Sequence, residues 1–275
     1  MRKKKWKKYR NLIAGGIMLL ILVVAAVGAE VIAPYSYEDA DMNARLIAPC
    51  AEHLFGTDNY GRDVFSRILY GSRDALKIAL LSISIQLVIG ITVGLIAGYW
   101  GGVVDSILSF IMDVTWSIPG LIAAFAIVTV LGKSLMNAII AIALVSWVQF
   151  ARIVRTKTMA VKNMPFLETG IAFGESTLAL MFRYILPNIV PSLVVVASMA
   201  IPGAIMSTTS LSFLGLGAQT PSPDWGLALS ESMSKITTAP WLGLFPGIAL
   251  VFTTLGFTFL GEGLRDLLDP RNNSL

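Results

Sequence analysis

Charge is in short supply in this sequence: 14% of its 275 residues are Asp, Glu, Lys or Arg, against 55% hydrophobic. With a mean hydropathy of +0.73, such a chain cannot be solvated as a globule, which implies an integral membrane protein. Cysteine occurs once, at Cys50, excluding an internal disulfide and a thiolate metal cluster within the chain. Histidine also occurs once, at His53 in a polar stretch, so neither a Ser-His-Asp site nor a three-histidine metal centre is expected. Cys50 and His53 are therefore read as loop residues, with no metal site. No glycine-rich loop ends in Lys and Ser or Thr, so the chain is not expected to bind or hydrolyse nucleotide itself. The net charge is +4, but the basic residues cluster by topology and do not point to nucleic acid.

What the sequence has is long uncharged runs. Residues 1–10 carry seven basic residues ahead of a first run at 11–29, which reads as a retained span with its N-terminus in the cytoplasm. Further spans are expected at 78–104, 104–131, 134–151, 189–213 and 242–261. Pro119 interrupts the third span, and Pro202-Gly203 interrupts the fifth; freed backbone groups there must face protein or water, so all three are candidates for gating breaks. Between the first two spans, residues 34–74 form a polar loop in which Val64, Phe65, Ile68 and Leu69 share a helical face and Asp63 and Arg67, four apart, are expected to pair on another. That pattern predicts an amphipathic helix on the membrane surface. The expected division is 1–74, a first span with an outer loop and surface helix, and 75–275, a core of five spans.

Six spans put both termini on one side. Segments assigned to the cytoplasm hold 14 of the 21 Lys and Arg residues, which supports an N-in, C-in arrangement. Asp113 lies roughly 13 Å along the third span. A carboxylate there is costly against lipid. It is read either as a substrate or proton site or as one half of an ion pair with Arg152 or Arg155, the second being favoured because no other carboxylate lies so deep.

The longest polar-containing interruption of the second half is VKNMPFLETGIAFGESTLALMFRYILPNIVP, residues 161–191. Pro165 suits a first helical position, Phe166, Leu167 and Ile171 give that helix an apolar side, and Gly174 ends it. Ser176 caps a second helix, which Pro187 is expected to stop.

Glu168, Gly174 and Leu186-Pro187, at that spacing, resemble the cytoplasmic coupling loop of ABC-transporter permeases. Thr169 and Gly170 stand where that family has alanines, and Tyr184 where it has isoleucine. Gly-Thr-Asp, two residues, Gly-Arg-Asp, then Ser-Arg and Tyr-Gly-Ser-Arg near residues 56–73 are similar to peptide and nickel permeases of that class. So are SFLGLG, Pro-Ser-Pro-Asp-Trp-Gly, Ala-Pro-Trp-Leu-Gly-Leu-Phe-Pro-Gly and the tail Gly-Glu-Gly-Leu-Arg-Asp-Leu-Leu-Asp-Pro-Arg. The chain is thus identified as a member of the dipeptide, oligopeptide and nickel permease family. The resemblance implies an all-α membrane protein of six transmembrane helices, whose loop 161–188 (Glu168, Thr169, Gly170, Gly174, Leu186, Pro187) couples it to ATPases. It implies a heterodimer with a homologous permease, two cytoplasmic ATPase subunits carrying ATP and Mg, an extracytoplasmic solute-binding protein, and a place in the cytoplasmic membrane of a bacterium or archaeon. The substrate is expected to be a di- or oligopeptide, with nickel or a nickel chelate as the alternative. A self-contained secondary carrier would be expected to show internal repeats and several intramembrane charges, and a membrane enzyme a nucleophile and base; neither is evident.

Overall fold

The computed structural model of the protein describes residues 2–268, with side chains from Tyr9 onward. Asp269, Pro270 and Arg271 of the tail motif lie outside the described residues. The elements are helices: α1 (Arg2–Ile32), α2 (Val64–Trp100), α3 (Gly102–Ser117), α4 (Gly120–Leu131), α5 (Leu135–Lys162), α6 (Pro165–Ala172), the single turn α7 (Thr177–Ala179), α8 (Leu186–Phe213), α9 (Trp225–Ser232) and α10 (Trp241–Leu268). Five stretches are long and apolar enough to cross a membrane, and α3 with α4, bent by 91° at their junction, makes six when the pair is counted as one broken span.

The bend falls at Pro119. Ile118 is extended, at φ −90° and ψ 129°, because the ring of Pro119 disfavours a helical conformation in the residue before it. Helix α3 therefore stops, and the Pro119 carbonyl accepts from the amides of Ile122 and Ala123 to start α4.

Helix α2 revises the outer loop more deeply. The predicted surface helix is the first turns of this 37-residue helix, so a division at residue 74 falls inside it. Those turns are not amphipathic: Val64, Ser66, Arg67 and Leu69 are all buried, since residues 35–63 and 217–241 fold over them as a cap. Nor do Asp63 and Arg67 pair. The Asp63 carboxylate caps α2, accepting from the Ser66 amide and hydroxyl at 2.7 Å each and facing His53 Nδ1 at 3.0 Å. His53 is thus a structural loop residue, stacked on Tyr35.

Helix α5 also runs past its expected end at 151, carrying Arg152, Arg155, Lys157 and Lys162 on its last turns. It lies along α2, and the closeness has a cause: Gly90, Gly94 and Gly98 recur every fourth residue on the α2 face that meets α5. A Cβ at Gly94 would sit 2.6 Å from the Ala151 carbonyl oxygen, and one at Gly98 2.7 Å from that of Arg155. Small residues at this spacing let two backbones approach where lipid offers no hydrophobic drive for packing. Around this pair the buried residues Leu22, Ile78, Ile139, Ile205, Leu250 and Phe257 join α1, α2, α5, α8 and α10.

Candidate functional site

The loop between α5 and α8 is built as a seated arm. Pro165 occupies the first turn of α6, where its missing N–H removes no bond. The helix ends in a Schellman arrangement: the Gly174 amide donates to the Ile171 carbonyl at 3.0 Å and the Glu175 amide to that of Gly170 at 3.1 Å. Gly174 itself has φ +77°, a conformation in which a Cβ crowds the following carbonyl. Ser176 then caps the next turn through the Ala179 amide.

Pro187 does not stop this second helix. Residues Thr177–Phe213 run on as one helical stretch because Leu180–Ile185 widen into a π-helical turn. The wider turn, in which the Leu186 amide reaches back to the Met181 carbonyl, relieves the clash that a proline ring makes with the carbonyl four residues earlier.

The side chains sort into an anchored and an open face. Leu167 is fully buried with Leu95, Val154, Leu180, Ile185 and Ile189, which joins α6 to α2, α5 and α8. Gly170 faces Leu180, whose Cδ2 would lie 2.9 Å from a Cβ there, so the glycine that weakens the helix also lets it seat closely. Tyr184 packs at the edge of the same cluster and donates its hydroxyl to Glu175 at 3.3 Å. On the open face, Phe166, Ile171, Phe173, Leu178 and Phe182 are exposed, and Glu168 and Thr169 are exposed beside them.

Of the ionic residues singled out in the sequence, Asp113 and Arg152 are brought together, with Nη2 2.7 Å from Oδ1. Arg155 is not part of that pair; it holds Asp105 of α3, with Nη2 2.6 Å from Oδ2. The Asp113–Arg152 pair is not buried, with side chains 70% and 47% exposed. Pro119 sits at the α3–α4 break, whereas Pro202 and Gly203 lie inside a continuous α8.

A second assembly, at the opposite end, escaped sequence reasoning. Buried Arg62 binds Asp58 at 2.6 Å and Glu231 at 3.0 Å. Buried Arg67 donates to the carbonyls of Tyr37 at 3.0 Å, Pro221 at 3.1 Å and Ser222 at 2.6 Å. The indole of Trp225 donates to the Ile68 carbonyl and that of Trp241 to the Thr57 carbonyl. The Gly-Arg-Asp and Pro-Asp-Trp motifs, far apart in the chain, are therefore one structure, a cap clamped by buried charge. Their complementary charges were the available signal. Asp224 caps α9 through the Leu227 amide at 2.9 Å, and burial pushes its carboxyl up from 3.8 to about 6, against the pull of that amide bond.

The described residues hold no group of three or more His, Cys, Asp or Glu placed to bind a metal. They form helical spans, an arm displaying apolar side chains at one end, and a clamped cap at the other. The family model described as "Binding-protein-dependent transport system inner membrane component" matches residues 90–274. The chain belongs to that family. A second model, the N-terminal TM domain of oligopeptide transport permease C, matches residues 4–49. The permease is 41% identical over 271 residues to the dipeptide transport system permease protein DppC of Alkalihalophilus pseudofirmus, covering 98% of this chain and 89% of that one. It is 40% identical over 273 residues to the glutathione transport system permease protein GsiD of Pectobacterium atrosepticum, covering 98% and 91%. Among solved structures, the inward-facing MetNI methionine ABC transporter aligns with TM-score 0.59 at 19% identity over 74% of this chain and 97% of that one. An amino acid ABC transporter with histidines aligns with TM-score 0.54 at 16% identity, over 77% and 95%; both are likenesses of fold. The protein is a multi-pass inner-membrane permease subunit of the dipeptide and oligopeptide ABC type.

Proposed function

We propose that this permease forms the translocation pore of an ATP-driven importer of di- and oligopeptides, as a heterodimer with a homologous permease, above two cytoplasmic ATPase subunits and beneath a solute-binding protein. ATP and Mg belong to the ATPases. The observation that carries the reading is the open face of the 161–188 arm. Phe166, Ile171, Phe173, Leu178 and Phe182 expose apolar surface around Glu168, while Leu167 fixes the arm to three spans. An exposed apolar cluster on a membrane protein's polar end is a docking surface, and a rigidly seated one transmits the partner's movement to the helices it is joined to. Peptide as the substrate is supported by the relatives, one named for dipeptides and one for glutathione, each similar over nearly the whole chain.

The test is co-expression of the full transporter. Phe173→Asp and Glu168→Lys are expected to leave the permease in the membrane but to reduce co-purifying ATPase and peptide uptake at least tenfold. Full uptake in both variants overturns the docking role, and uptake of nickel but not peptide by the unaltered transporter overturns the substrate.

A further inference from the structure

Polar side chains within the spans are satisfied in different ways, and the hydroxyls of Thr158, Thr208 and Thr253 are buried without a partner among the described residues. Thr92, Thr115, Thr129 and Ser210 each donate to a carbonyl four residues earlier in their own helix, the arrangement that satisfies a hydroxyl in hydrocarbon. Ser146 and Gln149 of α5 and Ser207 of α8 make no hydrogen bond among the described residues. With Gln86 of α2 they line an open groove of about 280 Å³. An adjoining groove of about 350 Å³, beside Trp116 and Pro119, shares Ser146 and Gln149. Positions 146, 149 and 152 fall on one helical face, so the stripe continues into Arg152, whose guanidinium lies 5.3 Å over the Trp116 ring and pairs with Asp113.

Depth decides what this face meets. Lys162 Nζ donates to the Tyr99 carbonyl at 2.6 Å, so the ends of α5 and α2 are level. Arg152 lies about 15 Å and Gln149 about 20 Å along α5 from that end, so Ser146 and Gln149 fall within the run 134–151 expected to cross the apolar layer and Arg152 stands at its inner edge. An ion pair 47% and 70% exposed and three unpartnered polar groups at that depth do not face lipid tails. The neighbouring pair is different in kind: Arg155 grips Asp105 through two nitrogens, with side chains 31% and 15% exposed. That pair already ties α3 to α5, and leaves Asp113 and Arg152 free to exchange partners.

We propose that this face of α5 is a water-facing wall of the transport path, and that Arg152 and Asp113 engage the charged ends of a passing peptide, Arg152 its carboxylate and Asp113 its ammonium. This rests on the reading of the substrate as a peptide. A peptide carries both charges and a row of amides. The hydroxyls and carboxamides of Ser146, Gln149 and Ser207 both donate and accept, so they match amides whatever the side chains are. An open ion pair swaps one opposite charge for another, so neither partner is left uncompensated.

The experiment uses the assembled transporter in vesicles, in a Cys50→Ser background that removes the only cysteine. Gln149→Cys is expected to react with a charged methanethiosulfonate at least tenfold faster than Leu80→Cys, a position 66% exposed on the chain's outer surface. Excess free dipeptide is expected to slow that reaction at least threefold, and an N-acetylated, C-amidated dipeptide to leave it unchanged. Adding Arg152→Gln or Asp113→Asn should abolish the slowing, and Arg152→Lys should keep it. A Gln149→Cys thiol unreactive both without nucleotide and in the vanadate-trapped state overturns the wall. Full protection in both Arg152→Gln and Asp113→Asn overturns the engagement. Peptide uptake by the same vesicles without any protection refutes this inference alone, whereas absence of both uptake and protection refutes the peptide reading.

Discussion

Gly174 and Asp224 show how single residues carry constraints that their neighbours do not reveal. Nothing lies within 4 Å of a Cβ built at Gly174, so its requirement is conformational: φ is +77°, which costs an ordinary L-residue roughly 1–2 kcal/mol. Uptake and ATPase co-purification are therefore expected to fall in the order Gly, Asn, Ala, Val, because Asn tolerates this region and β-branched residues do not. A Val variant as active as an Asn variant would contradict this. Asp224 makes a prediction about pH. Its carboxyl is raised from 3.8 to about 6 by burial, with Asp74 adding a like charge, so the folded cap holds the proton more tightly than the unfolded chain. That contribution is fully present below pH 3.8 and is lost as pH rises through about 6, amounting to on the order of 3 kcal/mol. Purified protein should lose melting temperature between pH 5 and 7.5 relative to Asp224→Asn, which keeps an acceptor for the Leu227 amide without the charge. Parallel curves for the two proteins would show that Asp224 does not titrate there.

At the scale of elements, the α2–α5 contact is set by backbone approach. A Cβ at Gly94 meets the Ala151 carbonyl at 2.6 Å, and a carbonyl in mid-helix cannot step aside, so α2 must move as a body. Gly94→Ala is expected to cost roughly 1–3 kcal/mol of overpacking. Gly16→Ala in α1, with nothing within 4 Å of the added carbon, should be neutral or slightly stabilising. Thermal denaturation in detergent compares them, and equal losses would remove the argument. The same scale explains which elements were legible. Spans were readable wherever uncharged residues ran long enough to cross, and the arm was readable because Pro165, Gly174 and Ser176 are local signals for local events. The start of α2 was not, because burial of Arg62 and Arg67 depends on carbonyls and carboxylates about 150 residues away, and spacing along one helix shows only Asp63 beside Arg67. Pro187 misled for a related reason: a π-helical turn is a three-dimensional accommodation that leaves no pattern in the residues before it. In the candidate site, Asp113 and Arg152 were legible from the rarity of charge within spans, but their exposure was not, because depth along a helix says nothing about which face is turned to a neighbour.

For the whole molecule the remaining question is which end meets the cytoplasm. The arm and the basic turns of α5 lie at one end, and the cap of Asp58, Arg62, Arg67 and Glu231 at the other. Among the described residues, the segments at the arm's end hold 13 of 20 Lys and Arg, and lysine and arginine in short loops favour the cytoplasmic side. The cap's arginines do not count equally against this, because Arg62 and Arg67 are paired or hydrogen-bonded and buried and present little free charge to the membrane surface. Native Cys50 is exposed at the cap end, so it is a built-in reporter: an impermeant thiol reagent is expected to label it in intact spheroplasts. In Cys50→Ser protein, Ser234→Cys should be labelled and Ala172→Cys should be protected until the membrane is opened; both positions are exposed on the chain. The opposite pattern would put the arm on the outer face, where no ATP is available, and would remove the coupling role from Glu168 and Gly174 whatever their variants did to uptake.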